Sequence, residues 1–290
     1  MKLQTPVSIE PLARRFGFED RFFFMGSCFA DEVGGIMSSL GFSVTLNPFG
    51  VLYNPASIAQ SLQRLESRES FTAADVVCCE GRYTSFYHHS RFSRDTAEAF
   101  LENANAALDA AASAFEAADV VVVTLGTSWV FRHKERDMIV SNCHKIPARE
   151  FERFRLSSEQ SAALLEPIIA RHPDKRWIFT VSPIRHLADG AHGNQLSKAA
   201  LLLAVDSLVQ RHPCAAYFPA YEIMMDELRD YRFYQENMTH PTAQAVGHIF
   251  ECFRQFALTP ECDKGIEEAR RALKAAGHRK FQFGNTTPNE

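Results

Sequence analysis

Five short apolar runs punctuate the chain: Arg21 to Met25, Phe42 to Leu46, Val120 to Leu125, Trp177 to Val181 and Ala215 to Phe218. Val120-Val121-Val122-Val123 is apolar and β-branched at every position, the pattern of a central strand covered on both faces. Between the runs stand helical patterns over Asp31 to Leu40, Ala56 to Leu65, Thr96 to Ala118, Ser158 to Arg171 and Gln195 to Gln210. The Ala-rich stretch from Thr96 sets Phe100, Leu101, Leu108 and Phe115 at near-helical spacing, which predicts packing against a sheet. Strands alternating with helices in this way predict an α/β fold built on a parallel sheet.

Two stretches break the alternation. Residues 67–94 carry Phe71, Tyr83, Phe86, Tyr87 and Phe92, and residues 131–154 hold a polar break, His133 to Asp137, between Trp129-Val130-Phe131 and Met138-Ile139-Val140. The second pattern reads as a hairpin, and both stretches are expected as insertions covering the strand ends. Residues 260–290 read as one charged helix and a frayed tail from Phe283 to Pro288. No repeat or linker divides the chain, so residues 1–290 are expected to form a single domain.

Composition narrows the function classes. A chain of 290 residues, 46% hydrophobic and 23% charged, supports a full core and argues against disorder. A formal net charge of -4 supplies no basic field for a nucleic-acid backbone. No stretch approaches the ~20 apolar residues of a membrane span, and Met1 to Pro6 lacks the apolar core of a secretory signal, so the expected address is cytoplasmic, with neither nucleic acid nor membrane as partner. Seven Cys, an odd number without regular spacing, fit reduced thiols, and Cys78-Cys79 has no second pair at zinc-like spacing. No metal and no cofactor are expected. Oligomeric state is left open.

In an open parallel sheet, ligands collect beyond the carboxyl ends of the strands. The first strand ends in Gly26-Ser27-Cys28-Phe29-Ala30. A buried strand that turns into a helix at Gly-Ser lifts a hydroxyl above the sheet, beside the free N–H groups of the helix start. The plainer reading makes Ser27 only a helix cap. Asn47-Pro48-Phe49-Gly50 follows the second strand, Gly126-Thr127-Ser128-Trp129 the third and Ser182-Pro183-Ile184-Arg185-His186 the fourth. Beyond the fifth, after a long excursion, stands Asn237-Met238-Thr239-His240-Pro241.

This set resembles the SGNH, or GDSL-like, hydrolases, which place a serine after strand one, a glycine after strand two, Gly-x-Asn-Asp after strand three and Asp-x-x-His late in the chain. More narrowly it resembles the GSCFA family, named for the peptide standing here at Gly26 to Ala30. The resemblance runs through Asn47 to Gly50, Leu125 to Trp129, Asn142-Cys143-His144-Lys145, Ser182 to His186 and Asn194-Gln195-Leu196-Ser197-Lys198-Ala199 to His240-Pro241. It implies a three-layer, flavodoxin-like α/β sandwich with a five-stranded, mainly parallel sheet. It also implies Ser27 as nucleophile, His240 as general base, and the N–H groups of Ser27 and Gly50 as oxyanion donors, with Gly126, Thr127 and Ser128 completing that hole. The implied activity is that of a serine esterase or deacylase forming an acyl-enzyme on a small or carbohydrate-linked ester. An acyltransferase using the same site and a catalytically weak ligand-binding domain are the alternatives.

Two departures stand out. Ser128 occupies the position of the superfamily's oxyanion Asn, with Thr127, Asn142 or Asn194 as substitutes. Asn237 occupies the position of the Asp that orients the His, with Glu236, Glu222, Asp226 or a backbone carbonyl as substitutes. Several residues carry two readings. His186 is a loop histidine, or, beside Arg185, a ligand for a substrate anion or a base in place of His240. Asn142, His144 and Lys145 face the pocket if the hairpin folds over the sheet edge, and solvent if it does not. Cys28 is a thiol at a helix start or a packing residue. Lys198 is a surface or helix-start cation, or lies near the pocket with Asn194 as the family context implies. Tyr83, Phe86, Tyr87 and Phe92 form a sugar-stacking platform or a satellite core.

Overall fold

The computed structural model describes residues 5–283, with side chains to residue 276. Of the expected tail from Phe283 to Pro288, Phe283 ends the last helix, and Gly284 onward lies outside the described residues. Five strands form one sheet: β1 (Arg21–Gly26), β2 (Ser43–Leu46), β5 (Val120–Leu125), β9 (Arg176–Val181) and β10 (Ala215–Tyr217). Their order is β10-β9-β5-β1-β2 and every pairing is parallel. All five expected strands are present, each within one residue of its expected start and end.

Helices cover both faces. α1 (Cys28–Ser39), α7 (Ala243–Ala257) and α8 (Cys262–Phe283) lie on one side. α2 (Pro55–Ser67), α3 (Ala97–Ala117), α4 (Ser158–Arg171) and α5 (Gly190–Arg211) lie on the other. The alternation of side chains along a strand divides the core between them. Phe22, Phe24, Val120 and Val122 pack toward α1 and α7, while Phe23, Met25, Val121 and Val123 pack toward α3 and α5. Local chemistry starts most helices where the sequence predicts: Asn54 caps α2 just before Pro55, Thr96 caps α3, and Ser157 with Gln160 forms a capping box for α4.

The two insertions behave differently. Residues 67–94 hold a two-stranded ribbon, β3 (Val76–Cys79) with β4 (Arg82–Ser85). Phe71 and Phe92 are buried in the main core, with Tyr83 and Tyr87 packed against it, and Phe86 joins Val140 and Phe151 in a small cluster of its own. The aromatic platform expected as one alternative is therefore not formed, because burial of the rings takes them away from any open surface. The expected hairpin is present as β6 (Trp129–His133) paired antiparallel with β7 (Met138–Val140), and a third strand, β8 (Phe151–Arg155), extends it to an antiparallel sheet in the order β7-β6-β8. After β10 the chain forms α6 (Ala220–Glu222) and a π-helical turn, Ile223–Glu227. Among the described residues no helix is long and apolar enough to cross a membrane.

Candidate active site

Strand order reverses between β1 and β5, since the chain moves from β1 to β2 on one side and through β5, β9 and β10 on the other. The gap outside such a reversal is where parallel α/β sheets bind ligands. Gly26-Ser27 and Gly126-Thr127 leave the sheet there. The turn at Gly26 is forced: its φ is +143°, and a Cβ would stand 2.1 Å from the carbonyl oxygen of Thr124. Glycine alone lets β1 lie this close to β5 while the chain turns. Ser27 follows, 1% exposed, with its Oγ accepting a hydrogen bond of 3.3 Å from the N–H of Phe29. That cap bond lies beyond the usual N–H···O range, so the hydroxyl is weakly held.

A cavity of about 560 Å³ opens beside this turn, lined by Cys28, while the buried Ser27 lies just behind its wall and does not line it. Its wall takes Cys28 and Tyr53 from the β1 and β2 ends, Thr127 and Trp129 after β5, and Arg185, His186 and Asp189 after β9. His240 comes from the late loop, and Phe131, Val140, Asn142, Cys143 and Arg153 from the β6–β8 sheet. The 131–154 insertion thus walls the cavity, whereas no residue of 67–94 lines it. Residues more than 200 positions apart meet here only through the fold.

The expected oxyanion donors are otherwise engaged. The N–H of Ser27 donates to the Thr124 carbonyl (3.0 Å), continuing the β1–β5 ladder. That of Gly50 closes a turn onto the Asn47 carbonyl (2.8 Å), and Gly50 packs against His89, away from the cavity. The Gly126 and Thr127 N–H groups both donate to the Tyr53 carbonyl, and Ser128 donates to Ser197 Oγ. Each is taken by a backbone or buried partner that the sequence order does not reveal. The N–H of Cys28, at the first turn of α1, makes no hydrogen bond among the described residues, and Cys28 faces the cavity.

His240 is positioned by its own loop. Asn237 Oδ1 accepts from the N–H groups of Thr239 (2.9 Å) and His240 (3.0 Å), and also from Thr239 Oγ1 (2.9 Å). These donors define which end of the amide is oxygen. Asn237 Nδ2 consequently points at His240 Nδ1, 3.0 Å away. An N–H aimed at Nδ1 favours a lone pair there. Thr239 Oγ1 also reaches Nδ1 (2.9 Å) and, with its own proton going to Asn237 Oδ1, is the acceptor for a proton on Nδ1, so the two neighbours favour opposite tautomers. None of the carboxylates considered as substitutes bonds the ring: Glu222 accepts from Tyr217, and Glu236 and Asp226 are exposed.

Other expected residues divide. His186 lines the cavity, and burial, then the neighbouring Lys198, push it down to about 4, against the opposing effects of Asp189 and a bond to the Gly126 carbonyl. It is therefore neutral near pH 7. Asn142 lines the cavity and accepts from the N–H of His144 (2.8 Å). His144 itself turns inward, its Nε2 2.7 Å from the Ser85 carbonyl, because β4 packs behind the loop. Lys145 is exposed and paired with Glu80. Asn194 holds the N–H of His186 (3.0 Å) and lines a neighbouring cavity instead.

Lys198 is neither a surface nor a helix-start cation. It is 1% exposed, and its Nζ donates to the carbonyls of Gly126 (2.7 Å) and Ser182 (2.6 Å), clasping the ends of β5 and β9 beneath the site. Burial pushes it down to about 7. The sequence did not single out Tyr53, Arg153 or Asp189. The Arg153 guanidinium pairs with Asp189 and lies 4.1 Å from the Trp129 ring centroid, which braces β8 against the loop after β9. In the β6–β8 register Arg153 stands opposite Phe131, two residues from Trp129 on the same strand face, a pairing that sequence spacing does not reveal. Among the described residues no cluster of His, Cys, Asp or Glu has the geometry to hold a metal ion.

Fold and site define a parallel α/β domain with a serine at the strand-to-helix turn and histidines across a cavity at the switch point. The chain belongs to the GSCFA family, whose model matches residues 21–253. Among solved structures it is similar to a mutant of Axe2, an acetyl-xylooligosaccharide esterase from Geobacillus Stearmophilus, at 9% identity and a TM-score of 0.43, covering 83% of this chain and 95% of that one. It is also similar to a carbohydrate esterase family 2 enzyme with a carbohydrate-binding domain from Corynascus thermopiles (Myceliophthora fergusii). There the identity is 12% and the TM-score 0.40, covering 89% of this chain and 68% of that one. No curated protein matches the sequence.

Proposed function

We propose that this chain is a serine esterase that passes through an acyl-enzyme. The observation that carries the reading is the convergence, on one cavity at the β1/β5 switch point, of the first turn after Ser27 with His240 and His186. Ser27 Oγ leaves its long cap bond and attacks the ester carbonyl while His240 takes its proton. The carbonyl electron pair moves to oxygen, where the N–H of Cys28 and the start of α1 stabilise it. Collapse expels the alcohol, which takes the proton from His240. Water then attacks the acyl-Ser27 ester in the same way and releases the acid.

A second reading, a domain that binds an acylated ligand with little turnover, is favoured by Asn237 Nδ2 facing the imidazole. The deciding experiment is hydrolysis of p-nitrophenyl acetate and butyrate by wild-type and Ser27→Ala protein, beside labelling with a fluorophosphonate. Loss of both signals in Ser27→Ala is the expected result. Labelling that survives the substitution removes Ser27 as nucleophile, and absence of both signals in wild type favours the binding reading.

A further inference from the structure

A second cavity of about 470 Å³ shares a wall with the first and is lined by Tyr221, Tyr231 and Tyr234, by Met224, Met225 and Leu228, and by Arg229. Arg185 lines both cavities. Its backbone is fixed, because its N–H donates to the carbonyl of Thr239, next to His240. Its guanidinium makes no hydrogen bond or ion pair with any described residue and lies 5.8 Å from the Tyr234 ring centroid. Arg229 makes none either, whereas Asp230, among the described residues the only carboxylate lining the cavity, accepts from the N–H of Arg232 and pairs with its side chain. The shared wall therefore offers a half-buried guanidinium whose donors are unsatisfied beside flat aromatic faces.

From this arrangement we infer that the two cavities form one substrate channel for an ester whose ring-bearing part carries a carboxylate. This rests on the esterase reading for what happens in the first cavity. The acyl group sits near Cys28 and His240, the carboxylate on Arg185 and the ring on Tyr221 and Tyr234. Guanidinium donors match a carboxylate bidentately, and tyrosine faces suit a sugar ring with one apolar side. Tyr221 is held for that role by its hydroxyl bond to Gln195 Oε1 (2.6 Å). The Asp230 carboxylate at the same wall disfavours a dianion relative to a monoanion.

The test needs no turnover. Binding of p-nitrophenyl β-glucuronide and p-nitrophenyl β-glucoside, which differ by a carboxylate in place of a hydroxymethyl group, is measured by calorimetry on wild-type and Ser27→Ala protein. The glucuronide is expected to bind about tenfold tighter or better, as a charge-assisted contact provides. Arg185→Gln should erase that preference, Arg185→Lys should keep part of it, and Tyr234→Ala should weaken both ligands. In wild type the preference should shrink as salt rises, a check that does not depend on any variant folding. Equal binding of the two glycosides, binding of neither, or a preference that survives Arg185→Gln overturns the inference. Because Ser27→Ala protein is titrated, a failed esterase reading leaves this result intact and separable.

Discussion

Asn237→Asp tests the link between loop geometry and catalysis most directly. In the native chain Nδ2 stands 3.0 Å from His240 Nδ1 and opposes a proton on that nitrogen, leaving the Thr239 hydroxyl as its only acceptor among the described residues. A base facing Ser27 needs that proton on Nδ1 and a lone pair on Nε2. Replacing Nδ2 by a carboxylate oxygen supplies an acceptor for the Nδ1 proton and a charge for the imidazolium that forms in the transition state. Oδ1 keeps its bonds from Thr239 and His240, so the turn should survive. At roughly 4 Å between charge centres, the attraction is ~1 kcal/mol in water and ~4 kcal/mol at an effective dielectric of 20. Asn237 is exposed, which favours the lower part of that range. The expected gain in kcat/KM is therefore about 5-fold to 10³-fold, below the ~10⁴ lost on the reverse exchange at a buried serine-protease triad. The assay is initial-rate hydrolysis of p-nitrophenyl acetate by both proteins, with Ser27→Ala as blank and thermal melting as a fold check. An unchanged or lower rate in a folded variant would refute the reasoning and move the base to His186, which is neutral and lines the same cavity.

Three further outcomes are expected. Gly26→Ala should destabilise by about 3 kcal/mol or more, or prevent folding, since the new Cβ meets the Thr124 carbonyl at a positive φ; a melting temperature near wild type would contradict the β1–β5 contact. Lys198, pushed down to about 7, binds fewer protons folded than unfolded, where lysine titrates near ~10.4, so stability should rise between those pH values by up to ~1.4 kcal/mol per unit. Denaturant unfolding of Lys198→Met should lose that rise, and above about pH 10, where the lysine is neutral in both states, the variant should be less stable by about 2 kcal/mol because two carbonyls lose their donor. His88, pushed down to about 3 by burial among Phe49, Phe71, Phe92 and Phe100, protonates more readily unfolded, near ~6.5. Stability should thus fall as pH drops from about 6.5 toward 3, and His88→Phe should flatten that slope.

The sequence by itself determined the five strands of the sheet, because strand identity follows from local pattern, while their order was set by the tertiary structure. Val120 to Leu125 is apolar throughout and lies at the centre, and Phe22 to Met25 alternates between two cores as residues on a strand must. Ser27, Asn54, Thr96 and Ser157 start helices through bonds spanning two or three residues, which short spacing encodes. What only the tertiary structure decided is where each polar group points and what already occupies it. The Gly50 N–H turns onto Asn47, His144 onto Ser85, and Lys198 onto two strand ends 16 and 72 residues away. Asn237 and His240 are close enough in sequence for their pairing to be expected, yet which end of the amide meets the ring depends on the turn that orients Thr239. Arg185 gains its place between two cavities only when the late loop packs beside the end of β9. Hydrophobic periodicity is a property of neighbours along the chain, whereas the partner of a buried donor is chosen by neighbours in space.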